Sequence, residues 1–109
     1  TLMGNTVAAC LQALAGEGAA AVGANCTLDS REMAALVKEM RPLTSLPLVV
    51  QANAGKPVLS IEGQVTYSQD LDDYTKYVPE MAAYGASFIG GCCGTTPDYI
   101  RRMAELLKR

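Results

Sequence analysis

The chain has 109 residues, half of them apolar and 18% charged, with a formal net charge of -2. That size and balance describe at most one ordinary globular domain. They exclude nucleic acid as the main partner, because phosphate binding needs clustered Lys and Arg, and here the basic residues stand singly apart from Arg101-Arg102 and Lys108-Arg109.

No apolar run approaches the roughly 18 residues needed to cross a bilayer. The opening TLMGNTVAAC lacks the basic head and long apolar body of a secretion signal. The expected location is the cytoplasm, with no membrane partner. In that reducing compartment four cysteines point to metal or catalytic use rather than to a disulfide framework. Histidine is absent. Any metal must therefore be held by Cys, carboxylate, amide or the substrate itself, and Ser-His or Cys-His nucleophiles are excluded. The first residue is Thr, which suggests a processed or excised chain.

Taken in chain order, residues 6–16 place Val7, Cys10, Leu11 and Leu14 on one helical face. Asn5 or Thr6 can cap that helix, and Gly16 or Gly18 can end it. A short apolar strand follows at 20–25, with Cys26 just beyond it. Asp29 or Ser30 opens a second helix over 31–41, striped by Met33, Leu36, Val37 and Met40 and stopped by Pro42. PLVVQA at 47–52 is the second strand, its continuous run implying that both faces are buried. Residues 58–67 alternate around Glu62-Gly63, the pattern of an exposed hairpin. A third helix over 69–84 carries Leu71, Tyr74, Val78 and Met81 on one face, and Pro79 should kink or restart it near residue 78. ASFIGG at 86–91 is the third strand, and Thr96-Pro97 starts a last helix over 97–108 with Ile100, Met103 and Leu107 inward. This alternation predicts an α/β fold with a parallel sheet.

Each polar or thiol-bearing cluster follows a strand: GANC, QANAG and GGCCG. In parallel α/β folds the strand C-termini share one edge, where ligands bind. Cys10, on an apolar helix face, is expected to be a small buried hydrophobe. Cys92 and Cys93 are adjacent, so in an extended strand they would point to opposite faces; Gly90, Gly91 and Gly94 around them permit the turn that brings both to one centre. A vicinal disulfide would be strained. With Cys26 nearby, three thiolates suit zinc and leave one position open, as in catalytic sites. Three thiolates on Zn²⁺ carry a net charge of about -1, which polarises a carbonyl poorly but keeps an incoming thiol deprotonated and nucleophilic. The matching chemistry is alkylation of a substrate sulfur. Asn53 either contacts the substrate or caps its own turn, and Asn25 either orients the metal shell or satisfies a strand end. A redox dithiol at Cys92-Cys93 leaves Cys26 and the bracketing glycines unexplained.

GANC at 23–26, QANAGKP at 51–57 and IGGCCGTTPDYI at 89–100 resemble the zinc-dependent homocysteine S-methyltransferase family over essentially the whole chain. The NAG turn is most similar to the homocysteine domain of cobalamin-dependent methionine synthases. The resemblance implies the C-terminal part, about three βα units, of a TIM-type (β/α)8 barrel, a partial domain over residues 1–109 holding strands six to eight. It implies zinc on Cys26, Cys92 and Cys93 and homocysteine or a similar small thiol in the open position; Asn53 and Asn25 are the candidate substrate-binding residues. The product would be methionine, with methylcobalamin on a corrinoid protein or domain as methyl donor. A full barrel needs about 250 residues, and three strands leave open edges. Self-association or pairing with a missing barrel half is therefore expected. The alternative is a half-barrel that binds zinc without turnover.

Overall fold

Thr6 starts the first helix by accepting the Ala9 N–H on its Oγ1 at 3.0 Å, and α1 runs over Val7–Gly16. The structure, a computed structural model, describes residues 6–108; Asn5, the alternative cap, lies outside them. Helix α2 (Ser30–Met40) carries a complete capping box. Asp29 Oδ1 accepts the Glu32 N–H at 2.8 Å, and Glu32 Oε1 accepts the Asp29 N–H at 3.2 Å. Both bonds satisfy donors that a helix start leaves free. Pro42 ends α2 through one 3-10 turn, Arg41–Leu43. Pro79 divides the third predicted helix into α3 (Leu71–Thr75) and α4 (Val78–Tyr84), because its ring suits a first helical turn and not an interior one. The last helix, α5, spans Pro97–Leu107; Thr96 stands at its cap position, but its side chain makes no capping bond.

Strands β1 (Val22–Asn25) and β2 (Leu48–Ala52) pair in parallel. Strands β3 (Pro57–Leu59) and β4 (Val65–Tyr67) form the separate antiparallel hairpin, and β5 (Phe88–Gly91) adds in parallel to the far side of β2. The sheet order is thus β1-β2-β5, with β2 central. Gly23 lies opposite Val49, where a side chain would run into the Val49 carbonyl; only glycine permits that approach.

One sheet face carries the core. Val22, Leu48, Val50 and Ala52 are buried there against Met33, Val37, Tyr74, Val78, Met81 and Met103. Among the described residues the opposite face of β2 is not covered: Val49 is half-buried and Gln51 exposed, and Phe88 on β5 is 61% exposed. The expectation that both faces of β2 are buried is therefore corrected. A continuous apolar run presumes a layer on each side, and the described helices lie on one. Two helix stripes also narrow. Leu14 and Ile100 are 46% and 47% exposed, and Cys10 is half-buried rather than buried, because α1 buries only Leu11 and α5 only Met103. Among the described residues no helix is long and apolar enough to cross a membrane.

Candidate metal centre

Cys26 follows β1 and Cys92 follows β5, the two strands flanking β2. Two sheet spacings separate such strands by about 9.6 Å. Yet the Cα atoms of Cys26 and Cys92 are 5.8 Å apart, so both chains bend inward over the end of β2.

On the first side the bend is made by Cys26 and Thr27, both in the left-handed region at φ 55° and 66°. The Cys26 N–H donates to Gln51 O at 2.9 Å, and the Leu28 N–H closes back on Cys26 O at 2.6 Å. On the other side the Cys92 N–H donates to Ala52 O at 3.0 Å. The Cys93 peptide is clamped from both ends: its N–H donates to Asn53 Oδ1 at 3.1 Å, and its carbonyl accepts the Ala54 N–H at 2.9 Å. Thr95 Oγ1 donates to Cys92 O at 2.7 Å. Gly94 then turns the chain at φ 81°, with the Tyr67 ring packed where a side chain would stand. This is the turn that adjacent cysteines need to face one centre.

The sulfurs of Cys26, Cys92 and Cys93 all lie within 4.8 Å of one another. Cys26 and Cys92 are half-buried, and Cys93 is exposed. The sulfurs of Cys26 and Cys92 are in direct contact across 66 residues of sequence, with Cys93 beside them. The vicinal pair itself is not joined. An ion bonded to all three sulfurs at about 2.3 Å would hold them about 3.8 Å apart. The three sulfurs lie within 4.8 Å of one another, a range that includes that spacing, so the donor set fits a three-thiolate ion with one open position. Cys10, on α1, is not part of the cluster.

Asn25 and Asn53 both stand at this edge. Asn25 Nδ2 donates to the Cys26 sulfur at 3.7 Å. Asn53 spans the two cysteine turns: its N–H donates to Leu28 O at 2.9 Å while its Oδ1 receives Cys93. Sequence reasoning missed the support beneath them. The Tyr74 hydroxyl donates to Ala52 O at 2.8 Å and lies 3.3 Å from Gly90 O. Burial, with Tyr99 beside it, pushes that phenol up to about 12, so it stays a neutral donor. The two rings meet edge to face at 5.3 Å. Tyr74 sat on a predicted apolar stripe, which announces burial but not the hydroxyl's partner.

A profile of the homocysteine S-methyltransferase family matches residues 1–107. The chain belongs to this family. It is 35% identical over 109 residues to a methionine synthase of Mycobacterium leprae (strain TN), covering 99% of this chain and 9% of that protein. It is 37% identical over 89 residues to homocysteine S-methyltransferase 3 of Arabidopsis thaliana, covering 80% of this chain and 25% of that protein. The homocysteine methyltransferase MmuM from Escherichia coli, solved in an oxidized and a metallated form, superposes with TM-scores of 0.73 and 0.72 at 31% identity, over 94% of this chain and 30% of that one. The chain thus spans no more than 30% of the length of these relatives. Its α/β structure with a parallel sheet corresponds to a fragment of a homocysteine methyltransferase.

Proposed function

We propose that this chain is the thiol-activating part of a zinc-dependent homocysteine S-methyltransferase, supplying the last three βα units of a TIM-type (β/α)8 barrel. The observation that carries this reading is the convergence of Cys26, Cys92 and Cys93 within 4.8 Å at the C-terminal edge of a parallel sheet. Cys26, Cys92 and Cys93 would hold the ion as thiolates. Zinc bound there supplies a lowered pKa for the homocysteine thiol while leaving its sulfur electron-rich. Asn25, whose amide reaches the Cys26 sulfur, draws charge from that ligand and fixes its rotamer. Asn53 stands at the same edge, positioned to meet the substrate once homocysteine enters. The donor proposed is methylcobalamin, carried by a corrinoid protein or domain; support comes from the NAG turn and from the methionine synthases among the relatives. The uncovered sheet face and open edges of β1 and β5 support self-association or pairing with the rest of a barrel. A cytoplasmic setting suits a site that works with free thiols.

A second reading, a zinc-binding part without turnover on its own, is favoured by the small share of the relatives that the chain spans. Metal analysis and thiol titration separate the two. The reduced chain is expected to bind zinc stoichiometrically, and homocysteine to release a proton on entering the open position. Zinc indifferent to thiols selects the second reading. Cys26→Ser and Cys92→Ser are each expected to lose stoichiometric zinc while keeping the helical signal of the fold. Full zinc retention in both variants overturns the three-thiolate assignment.

A further inference from the structure

Gln69 is 5% exposed, although it lies in the polar SQD stretch just ahead of α3. Its polar groups reach the segment after each of the three parallel strands. The side-chain Oε1 accepts the Ser30 N–H at 3.0 Å, and Nε2 donates to Ser30 Oγ at 3.0 Å. The backbone N–H donates to Ala54 O at 2.9 Å, beside the Asn53 turn. The backbone carbonyl accepts the Tyr99 hydroxyl at 3.1 Å, from the helix that follows Cys93.

The side-chain contact matters most for the metal centre. Ser30 is the first residue of α2, and its N–H is one of the donors that a helix start leaves without a partner. Between Ser30 and β1 lies the turn in which Cys26 and Thr27 hold left-handed backbone. Two consecutive non-glycine residues keep such a conformation only where their surroundings over-determine it. One end of the turn is fixed by the Cys26 N–H on Gln51 O. The other end is fixed by the Asn53 N–H on Leu28 O, by the Asp29-Glu32 capping box and by the Gln69 amide on Ser30. Of these anchors, Gln69 alone ties the helix start to the chain that also supports Ala54 and Tyr99.

We infer that Gln69 is a positioning residue of the three-thiol site, acting through Ser30 to hold the strained Cys26-Thr27 turn where Cys26 meets Cys92 and Cys93. This inference rests on the reading of the cysteines as one site. It does not require metal for its test, because the placement of Cys26 also governs how readily it pairs with Cys92. In a glutathione buffer the two thiols give up two electrons and two protons to glutathione disulfide, forming the protein disulfide and two reduced glutathiones. The equilibrium constant reports how often the two sulfurs are in reach.

The test compares the 109-residue chain with Gln69→Met, which fills the same space without an acceptor, and Gln69→Glu, which keeps the acceptor for Ser30. Three quantities are measured: the thermal midpoint, the pairing constant of Cys26 with Cys92 in glutathione buffers, and zinc affinity by chelator competition. Gln69→Met is expected to weaken zinc by about tenfold or more, as loss of a group that orients metal ligands does, and to lower the pairing constant in the same direction. Gln69→Glu is expected to restore both toward wild type. A lowered midpoint with unchanged pairing and zinc affinity overturns the inference, leaving Gln69 a satisfied core amide. If Gln69→Met does not fold, Gln69→Asn decides, since it keeps a polar amide but draws it back from the Ser30 N–H. Weaker pairing in Gln69→Asn supports the inference, and unchanged pairing refutes it. A wild-type chain that takes up no zinc sinks the metal reading, while the glutathione measurement still judges Gln69.

Discussion

The substitution Thr27→Gly isolates the backbone strain at the first cysteine turn. Thr27 is an exposed, β-branched residue at φ 66°, a conformation that costs an L-residue about 1–2 kcal/mol. Glycine removes that cost but gives the unfolded chain more freedom, worth about 0.5–1 kcal/mol in the opposite direction. The difference leaves Thr27→Gly more stable by about 0.5–1 kcal/mol. Unfolding entropy near 2.1 cal/mol/K per residue makes 1 kcal/mol about 4–5 °C for a domain of this size, so the midpoint should rise by about 2–5 °C. Urea and thermal unfolding of the reduced chain measure the change, with an unaltered urea slope showing that the native and unfolded ensembles are the same. Thr27→Ala is the control, since it removes the branch and keeps the Cβ, and it should gain less. A midpoint for Thr27→Gly at or below that of Thr27→Ala would refute the account of strain at this turn.

Three further outcomes are expected. Gly94→Ala combines a φ of 81° with overlap on the Tyr67 ring and should lose about 1–3 kcal/mol in urea unfolding; Tyr67→Ala in the same chain should recover only part of it, because the backbone strain remains. Tyr74 has a folded pKa near 12 against an ordinary value of 10.0, so the folded state favours the neutral phenol. Its contribution is complete below pH 10 and fades as pH rises toward 12, by no more than about 2 kcal/mol. Wild type should therefore lose stability over that range more steeply than Tyr74→Phe, and parallel curves would count against the buried-phenol assignment. Cys10→Ala, on the half-buried face of α1, should change stability by about 1 kcal/mol or less and leave zinc stoichiometry unaltered; loss of zinc would return Cys10 to the site.

Much of this arrangement was legible because local signals act over a few residues. Asp29 with Glu32, Pro42, Pro79 and Thr96-Pro97 mark helix starts and stops within one turn of chain, and the structure follows them. The glycines around Cys92-Cys93 announced a turn, and the turn is there. What stayed hidden depends on which elements meet. The run PLVVQA could not reveal that helices cover only one face of β2. Tyr74 and Gln69 act through hydrogen bonds to residues 15 to 39 positions away, and no local pattern encodes such partners. The meeting of Cys26 with Cys92 and Cys93 was legible from their places after strands, but not the lean of two turns toward each other from opposite sides of a third strand.

That lean has a mechanical meaning. Cys26 and Cys92 sit 5.8 Å apart above strands that ordinary sheet spacing sets about 9.6 Å apart. Whatever draws the sulfurs to one centre also draws β1 and β5 together at one end, like a cord tied across two ribs of a fan. The curvature of the sheet and the spacing of the three sulfurs then become a single variable. A neighbour that flattened the sheet would part the sulfurs from a distance, and one that curled it further would press them together, without touching a cysteine.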